Sequence, residues 1–225
     1  MDFSDTTVVI PAKDEPAIYK VANDVLVSLK NCKVIVLYNG YNGKKVRFSN
    51  NRIASYPAPL GKGRAIMHLS KKGFVKTPIM CFIDGDATYE PRNLKKMVEM
   101  VRGGYDMVLG NRMAKLTRES MPMSIETGNK IITIVANVLY GMHLYDSQTG
   151  LRAMKTSAFE SLELTEPEFG IETEMNIKMK KTGYKIGEVA ADYYPRIGES
   201  KQMKIKGGIE HVIRDFHFLF YDPKK

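Results

Sequence analysis

Asp84-Gly85-Asp86 places two carboxylates one residue apart, directly after the apolar run Ile79-Met80-Cys81-Phe82-Ile83. Such a pair can hold a divalent ion, because Mg2+ or Mn2+ takes one or two carboxylates and completes its shell with phosphate oxygens and water. Asp-Gly-Asp also makes a good turn, so the segment has two readings, a metal site and a plain bend. Its position at the end of an interior strand favours the first. Asp146, Glu172 and Glu174 are candidate general bases, or else a polar turn and the acidic start of a helix.

The elements that must position these groups are legible as a strand and helix alternation. Strands are expected at 6–10, 34–37, 53–56, 79–83 and 107–109, with little besides apolar residues in them. Helical spacing links Ile18, Val21, Ala22, Val25, Leu26 and Leu29, with Pro16 in the first turn and Asp14 or Glu15 as cap. Further helices are expected over 61–72, with Ala65, Ile66 and Leu69 inward, and after Pro91, carrying Leu94, Met97, Val98 and Val101. Alternation of this kind with continuous apolar strands implies a mostly parallel sheet covered on both faces. Ligands of such sheets bind beyond the carboxyl ends of the strands. That gathers 11–15, 38–41, 84–88 and 110–113 around one crevice.

The second half is less regular. Ile131, Ile134, Val135, Val138, Leu139 and Met142 form an apolar stripe, expected to face the core rather than a membrane. Residues 184–194 read as extended segments with a glycine break. A terminal helix over 209–220 would gather Ile209, Val212, Ile213, Phe216, Leu219 and Phe220 on one side, and its aromatic and basic residues suit an interfacial anchor.

The 225 residues suffice for one domain with a sizeable core, and the composition is that of an ordinary globular protein. Cys32 and Cys81 sit beside apolar runs and read as reduced core thiols. The net charge of +9 attracts polyanions. No zinc, helix-turn-helix or basic–aromatic pattern directs it to nucleic acid, which leaves phosphate-rich ligands and an anionic lipid surface. The start lacks the features of a secretory leader, and no run approaches the ~18 apolar residues of a membrane span. His68, His143, His211 and His217 show no ligand spacing. A dinucleotide fingerprint and a Walker loop are both absent, and the first strand is followed by Pro11-Ala12-Lys13-Asp14-Glu15 where a nucleotidyltransferase would have glycines.

In order and spacing, Ile10-Pro11-Ala12-Lys13-Asp14-Glu15, Gly61-Lys62-Gly63, Asp84-Gly85-Asp86 and Gly110-Asn111-Arg112 resemble the inverting family 2 glycosyltransferases. Three later segments are similar to the dolichyl-phosphate mannosyltransferase branch. They are Asp146-Ser147-Gln148-Thr149-Gly150-Leu151-Arg152-Ala153, Phe169-Gly170-Ile171-Glu172-Thr173-Glu174 and Tyr194-Pro195-Arg196-Ile197-Gly198-Glu199-Ser200-Lys201. The resemblance implies a GT-A fold in a single domain, with a nucleotide-sugar half over 1–112 and an acceptor half over 113–225. It implies that Pro11, Ala12, Glu15, Asn39, Lys62, Asp84, Gly85 and Asp86 line the donor site. Asp84 and Asp86 would hold Mg2+ or Mn2+, Arg112 would meet an acceptor phosphate, and Arg196 and Lys201 would close over the donor diphosphate. The expected reaction moves mannose or glucose from GDP-mannose or UDP-glucose to a polyprenyl phosphate, in the cytoplasm or at the cytoplasmic face of a membrane, with peripheral contact or a membrane partner. A soluble phosphorylated or hydroxyl acceptor is the alternative. The chain departs from the family at Tyr38-Asn39-Gly40-Tyr41, where Asp-Asp-Gly-Ser is usual, at Asn111, where serine is usual, and at Thr88, where the branch often has a glutamine ligand.

Overall fold

The computed structural model describes residues 1–40, 46–168 and 170–196. Tyr41, Phe169, Lys201 and the expected helix over 209–220 lie outside the described residues. Seven strands form one mixed sheet: β1 (Thr6–Lys13), β2 (Lys33–Asn39), β3 (Ile53–Pro57), β4 (Ile79–Phe82), β5 (Met107–Asn111), β6 (Arg152–Lys155) and β7 (Ile186–Ala190). The spatial order is β3-β2-β1-β4-β6-β5-β7. Pairing is parallel except along β6, which runs antiparallel to both β4 and β5, with Ala153 opposite Cys81 on one side and Val108 on the other. β6 comes from the second half of the sequence, so one sheet passes through both halves.

The helices are α1 (Ile18–Ser28), α2 (Lys62–Lys72), α3 (Asn93–Arg102), α4 (Met123–Tyr140), α5 (Thr156–Glu160) and α6 (Ile171–Lys181). Side chains of a strand point alternately to opposite faces, and both faces here are buried. Val8, Ile10, Val34, Val36, Cys81 and Val108 meet the apolar sides of α1 and α3. Val9, Ile35, Leu37, Met80, Phe82, Met107 and Leu109 meet those of α2, α4, α5 and α6. Cys32 and Cys81 are free and fully buried, and burial pushes the Cys32 thiol up to about 11.

Two expectations need correction. Neither Asp14 nor Glu15 caps α1, whose N-cap is Ala17 without a side-chain cap bond. Asp14 instead adopts left-handed backbone (φ 47°), and the Glu15 carboxylate is taken up by Arg196. The second correction concerns α4. Its buried residues are Ile132, Thr133, Ala136 and Tyr140, whereas Ile131, Ile134 and Val138 of the expected stripe are exposed; Leu139 and Met142 of that stripe do meet the core. The helix is apolar on both sides, so hydrophobic periodicity could not select its rotation. Hydrogen bonds select it. Thr133 Oγ1 lies 2.9 Å from Ser147 Oγ, and Asn137 Nδ2 donates to the Leu144 carbonyl at 2.8 Å. Those polar groups must face the loop that satisfies them.

Candidate functional site

The site is assembled at the carboxyl ends of β1, β4 and β5. Because β6 is antiparallel, its preceding loop, 146–150, arrives at the same edge. Asp84 and Asp86 follow β4. The turn between β4 and α3 bends through Ala87, held at φ 62°, a left-handed conformation costing about 1–2 kcal/mol for a residue with a Cβ. It returns the chain so that the Thr88 N–H and Oγ1 donate to Asp86 Oδ1 at 3.2 and 2.7 Å. Asp86 Oδ2 is left to face Arg196 Nη1 at 3.2 Å. Burial and the neighbouring Asp84 charge together raise the Asp86 pKa above the usual carboxylate range. It is an acid short of positive charge.

Asp84 has a different partner. Lys62, at the start of α2, reaches its Oδ1 at 2.6 Å and Glu172 Oε1, at the start of α6, also at 2.6 Å. Burial disfavours both charges, but the attraction outweighs it, so the Asp84 pKa is lowered and that of Lys62 raised well above its ordinary value. Glu172 Oε2 is buried with no hydrogen-bond partner among the described residues. Packing around the acid pair depends on Gly150, where a Cβ would lie 2.3 Å from Asp84 Oδ2. At Gly63 a Cβ would meet the Glu166 carbonyl at 2.0 Å, which lets α2 begin close against 166–167.

Arg112, one residue beyond β5, is buried and gripped side-on by Asp146: Nε donates to Oδ2 at 2.7 Å and Nη2 to Oδ1 at 2.8 Å. The Arg112 N–H donates to the same carboxylate at 3.1 Å. Burial works against the guanidinium, yet Asp146 holds its pKa well above normal. Nη1 is the guanidinium nitrogen that Asp146 does not use. Tyr193 lies under the cation at 5.4 Å and meets Tyr89 edge-on, and the Tyr89 hydroxyl accepts the Gly150 N–H at 2.9 Å. Arg152, fully buried, donates to the Thr149 and Ser147 carbonyls and to Asn176 Oδ1, fixing the 146–150 loop from below. Burial lowers its pKa to about 10.

The sequence-derived residues therefore separate into groups. Two ion-pair networks meet at the acid pair: Lys62 bridges Asp84 and Glu172, and Arg196 bridges Asp86 and Glu15, with Arg196 Nη2 on Glu15 Oε1 at 2.6 Å. Arg112 belongs to a further, adjoining pair with Asp146. Pro11 and Ala12 lie within β1 rather than in a loop after it, and Gly85 packs against Ile10, Ala12 and Ile18. Asn39 ends β2 and donates from Nδ2 to the Ala58 carbonyl at 2.8 Å. Lys201 lies outside the described residues. Of the three candidate bases, Asp146 is engaged by Arg112, and Glu174 by the Thr165 and Glu166 N–H groups and by Lys178. Glu172 alone of the three keeps an oxygen without a hydrogen bond among the described residues. Sequence reasoning did not single out Tyr89, Tyr193 or Arg152 for a role. Arg152 was visible only as part of the 146–153 motif, and the tyrosines carried no local signal.

The family profile of Glycosyl transferase family 2 matches residues 7–163. The chain is 35% identical over 136 residues to Glycosyltransferase AglJ of Haloferax volcanii, covering 60% of this chain and 45% of that one. It is 34% identical over 131 residues to a Dolichyl-phosphate hexose transferase of the same organism, covering 58% and 57%. The chain thus spans about half the length of the curated relatives it matches. Among solved structures it is similar to glucosyl-3-phosphoglycerate synthase from Mycobacterium tuberculosis in complex with Mn2+, UDP and glucosyl-3-phosphoglycerate. That likeness has a TM-score of 0.66 at 17% identity, over 95% of this chain and 79% of that one, and it speaks to the GT-A-like fold alone. A profile match over most of the chain, on the fold and the strand-end acid pair described above, makes this protein a member of glycosyltransferase family 2.

Proposed function

We propose that the chain transfers a hexose, mannose or glucose, from a nucleotide sugar such as GDP-mannose or UDP-glucose to the phosphate of dolichyl or another polyprenyl phosphate, with inversion and with Mg2+ or Mn2+. The observation that carries the reading is the convergence of Asp84, Asp86, Lys62 and Arg196 at the end of β4. Family membership supports glycosyl transfer, and the name of the Haloferax relative supports a dolichyl-phosphate acceptor and a hexose.

The donor set fits a divalent cation. Asp86 is ionisable, underneutralised and already turned toward a cation, the Arg196 guanidinium. No group of three or more His, Cys, Asp or Glu side chains converges among the described residues, so Asp84 and Asp86 would hold the ion and ligand oxygens or water would complete its shell. When bound, the ion neutralises charge on the departing diphosphate. The other steps fall to this chain's own residues. Lys62 keeps Asp84 ionised and oriented. Arg196 would pass from Asp86 and Glu15 to the diphosphate, joined by Lys201 from the same segment, and stabilise charge there as the C1–O bond breaks. Pro11, Ala12, Glu15, Asn39 and Gly85 would line the nucleotide in the half over 1–112. In the half over 113–225, the 146–150 loop steadies Arg112, whose Nη1 would meet the acceptor phosphate. That phosphate is already anionic at neutral pH, so its attack needs no general base.

The test uses donor labelled in the sugar, a polyprenyl phosphate and Mn2+. Label that enters the organic phase, and only with acceptor and metal both present, supports the reading. Label transferred instead to a soluble glycan or phosphorylated acid overturns the lipid acceptor, and absence of transfer to any acceptor overturns the activity.

A further inference from the structure

The Arg196 guanidinium spans two carboxylates, with Nη2 on Glu15 Oε1 at 2.6 Å and Nη1 on Asp86 Oδ2 at 3.2 Å. The other Asp86 oxygen accepts from the Thr88 N–H and Oγ1. Both oxygens of that carboxylate are therefore in use, and Asp84 Oδ1 is likewise taken by Lys62. The two acids proposed to hold a divalent ion each face a cation supplied by the chain itself.

The two cations differ in how they are held. Lys62, the first residue of α2, is fixed by two carboxylates at 2.6 Å each, Asp84 and Glu172. Arg196 arrives on a short lever. The Tyr194 N–H donates to the Thr88 carbonyl at 2.8 Å, Tyr193 forms a bridge with Tyr89, and Lys115 ties down Asp192 at 2.8 Å. Pro195, with its fixed φ, joins this pinned segment to Arg196. The turn that carries Asp86 thus also delivers the arginine to it. The fit is incomplete. Arg196 Nε is buried with no hydrogen-bond partner among the described residues, and the Asp86 contact is the longer of its two. A buried donor left unsatisfied weakens the arrangement, so a ligand with better acceptors can draw Arg196 away.

We infer that Arg196 is an internal stand-in for the divalent ion, occupying Asp86 and excluding free metal until a nucleoside diphosphate offers oxygens to both cations; this rests on the metal-dependent reading above and adds an order of binding to it. A guanidinium and a divalent ion repel one another too strongly within a few ångström to share Asp86 Oδ2. A diphosphate has enough anionic oxygens to take Arg196 and to complete the shell of a metal ion at once. Metal and donor would then enter together. Glu15 is the positioning residue in this scheme, because its shorter bond keeps the guanidinium beside Asp86.

Binding of Mn2+ to the full chain, read from loss of the free-ion EPR signal, tests this without turnover. In the absence of nucleotide, Arg196→Met should bind Mn2+ at least about tenfold more tightly than wild type, since one charge a few ångström from a divalent ion is worth that much even at the dielectric of water. Arg64→Met removes an exposed cation and should leave binding unchanged. Adding UDP or GDP should raise the wild-type affinity for Mn2+ and narrow or reverse the gap. Glu15→Gln should tighten Mn2+ binding in the wild-type background, by loosening Arg196, yet weaken it in the Arg196→Met background, where only a negative charge is lost. Equal Mn2+ affinity of wild type and Arg196→Met without nucleotide overturns the proposal. So does an equal gain in Arg64→Met, which would reduce the effect to net charge, or a Glu15→Gln effect of one sign in both backgrounds. The expected Mn2+ pattern without sugar transfer to any acceptor refutes the proposed activity alone. Mn2+ bound by no variant, with or without UDP or GDP, refutes the metal-dependent reading and the stand-in with it.

Discussion

Gly150→Ala tests how tightly the acid pair is held. The new Cβ would lie 2.3 Å from Asp84 Oδ2 and 2.8 Å from its Cγ. Carbon and oxygen in close contact sit about 3.3 Å apart or more, so the carboxylate must retreat by about 1 Å. It cannot do so freely, because Lys62 holds its other oxygen at 2.6 Å and is itself tied to Glu172. Overpacking of this kind costs about 1–3 kcal/mol, and a weakened charge-assisted bond adds about 1.5–3 kcal/mol if Asp84 swings out. Together, a loss of about 2.5–6 kcal/mol corresponds to a melting temperature roughly 5–24 °C lower in a chain of this size. Gly128→Ala is the matched control. A Cβ there meets nothing within 4 Å, and alanine inside a helix gains about 0.5–1 kcal/mol over glycine. Thermal unfolding of both variants, followed by Mn2+ titration of turnover, gives the comparison. The expected pattern is a destabilised Gly150→Ala needing more metal beside an intact or stabilised Gly128→Ala. A Gly150→Ala protein melting within about 1 °C of wild type, with the same metal requirement, would refute the argument.

Three further outcomes follow from the same geometry. Asp86→Asn should abolish turnover yet raise the ligand-free melting temperature at neutral pH. The folded state binds the Asp86 proton more tightly than the unfolded state, so this group's effect on stability worsens as pH rises, and asparagine removes that slope; a wild-type-to-variant gap that does not widen from about pH 4 to about pH 7 would count against it. Lys62→Met strips a buried cation from Asp84 and Glu172, for a loss of about 3–5 kcal/mol at neutral pH. Because Asp84 is depressed by Lys62, that stabilisation is present above the unfolded carboxylate pKa and lost as pH falls through the folded one, so the deficit should shrink in acid; a pH-independent deficit in thermal unfolding would contradict it. Asp146→Asn removes one charge from the grip on Arg112 and should raise the KM for acceptor phosphate well before that for the donor, and steady-state kinetics with an unchanged acceptor KM would remove Asp146 as its positioning residue.

Much of the proposed donor side was legible because its signals are local. The strands that became β1, β2, β4 and β5 are continuous apolar runs, and the acid pair directly follows one of them. Position at a strand end then gave Asp84 and Asp86 a place in the crevice without any knowledge of long-range contacts. The strand boundaries were less exact, since β1 runs on through Pro11, Ala12 and Lys13. The partners of the acids were less legible. Lys62 and Glu172 are 110 positions apart and meet only because α2 and α6 begin at the same sheet edge. Arg196 reaches Glu15 across 181 positions.

Continuous apolar strands alternating with helical segments thus determined, from the sequence by itself, that a covered, mostly parallel sheet exists and which loops share its carboxyl end. Tertiary structure alone decided three matters. It inserted β6 antiparallel between β4 and β5, which brings 146–150 and the Arg112 grip to the site. It chose among carboxylates that look alike in sequence, satisfying Asp146 and Glu174 while leaving Glu172 with an oxygen unpaired among the described residues. And it set the rotation of α4, turning outward Ile131, Ile134 and Val138 of the stripe that periodicity assigned to the core. The physical reason is common to all three: apolar burial is nondirectional and can be read from composition along a segment, whereas hydrogen bonds and ion pairs depend on where distant partners arrive in space.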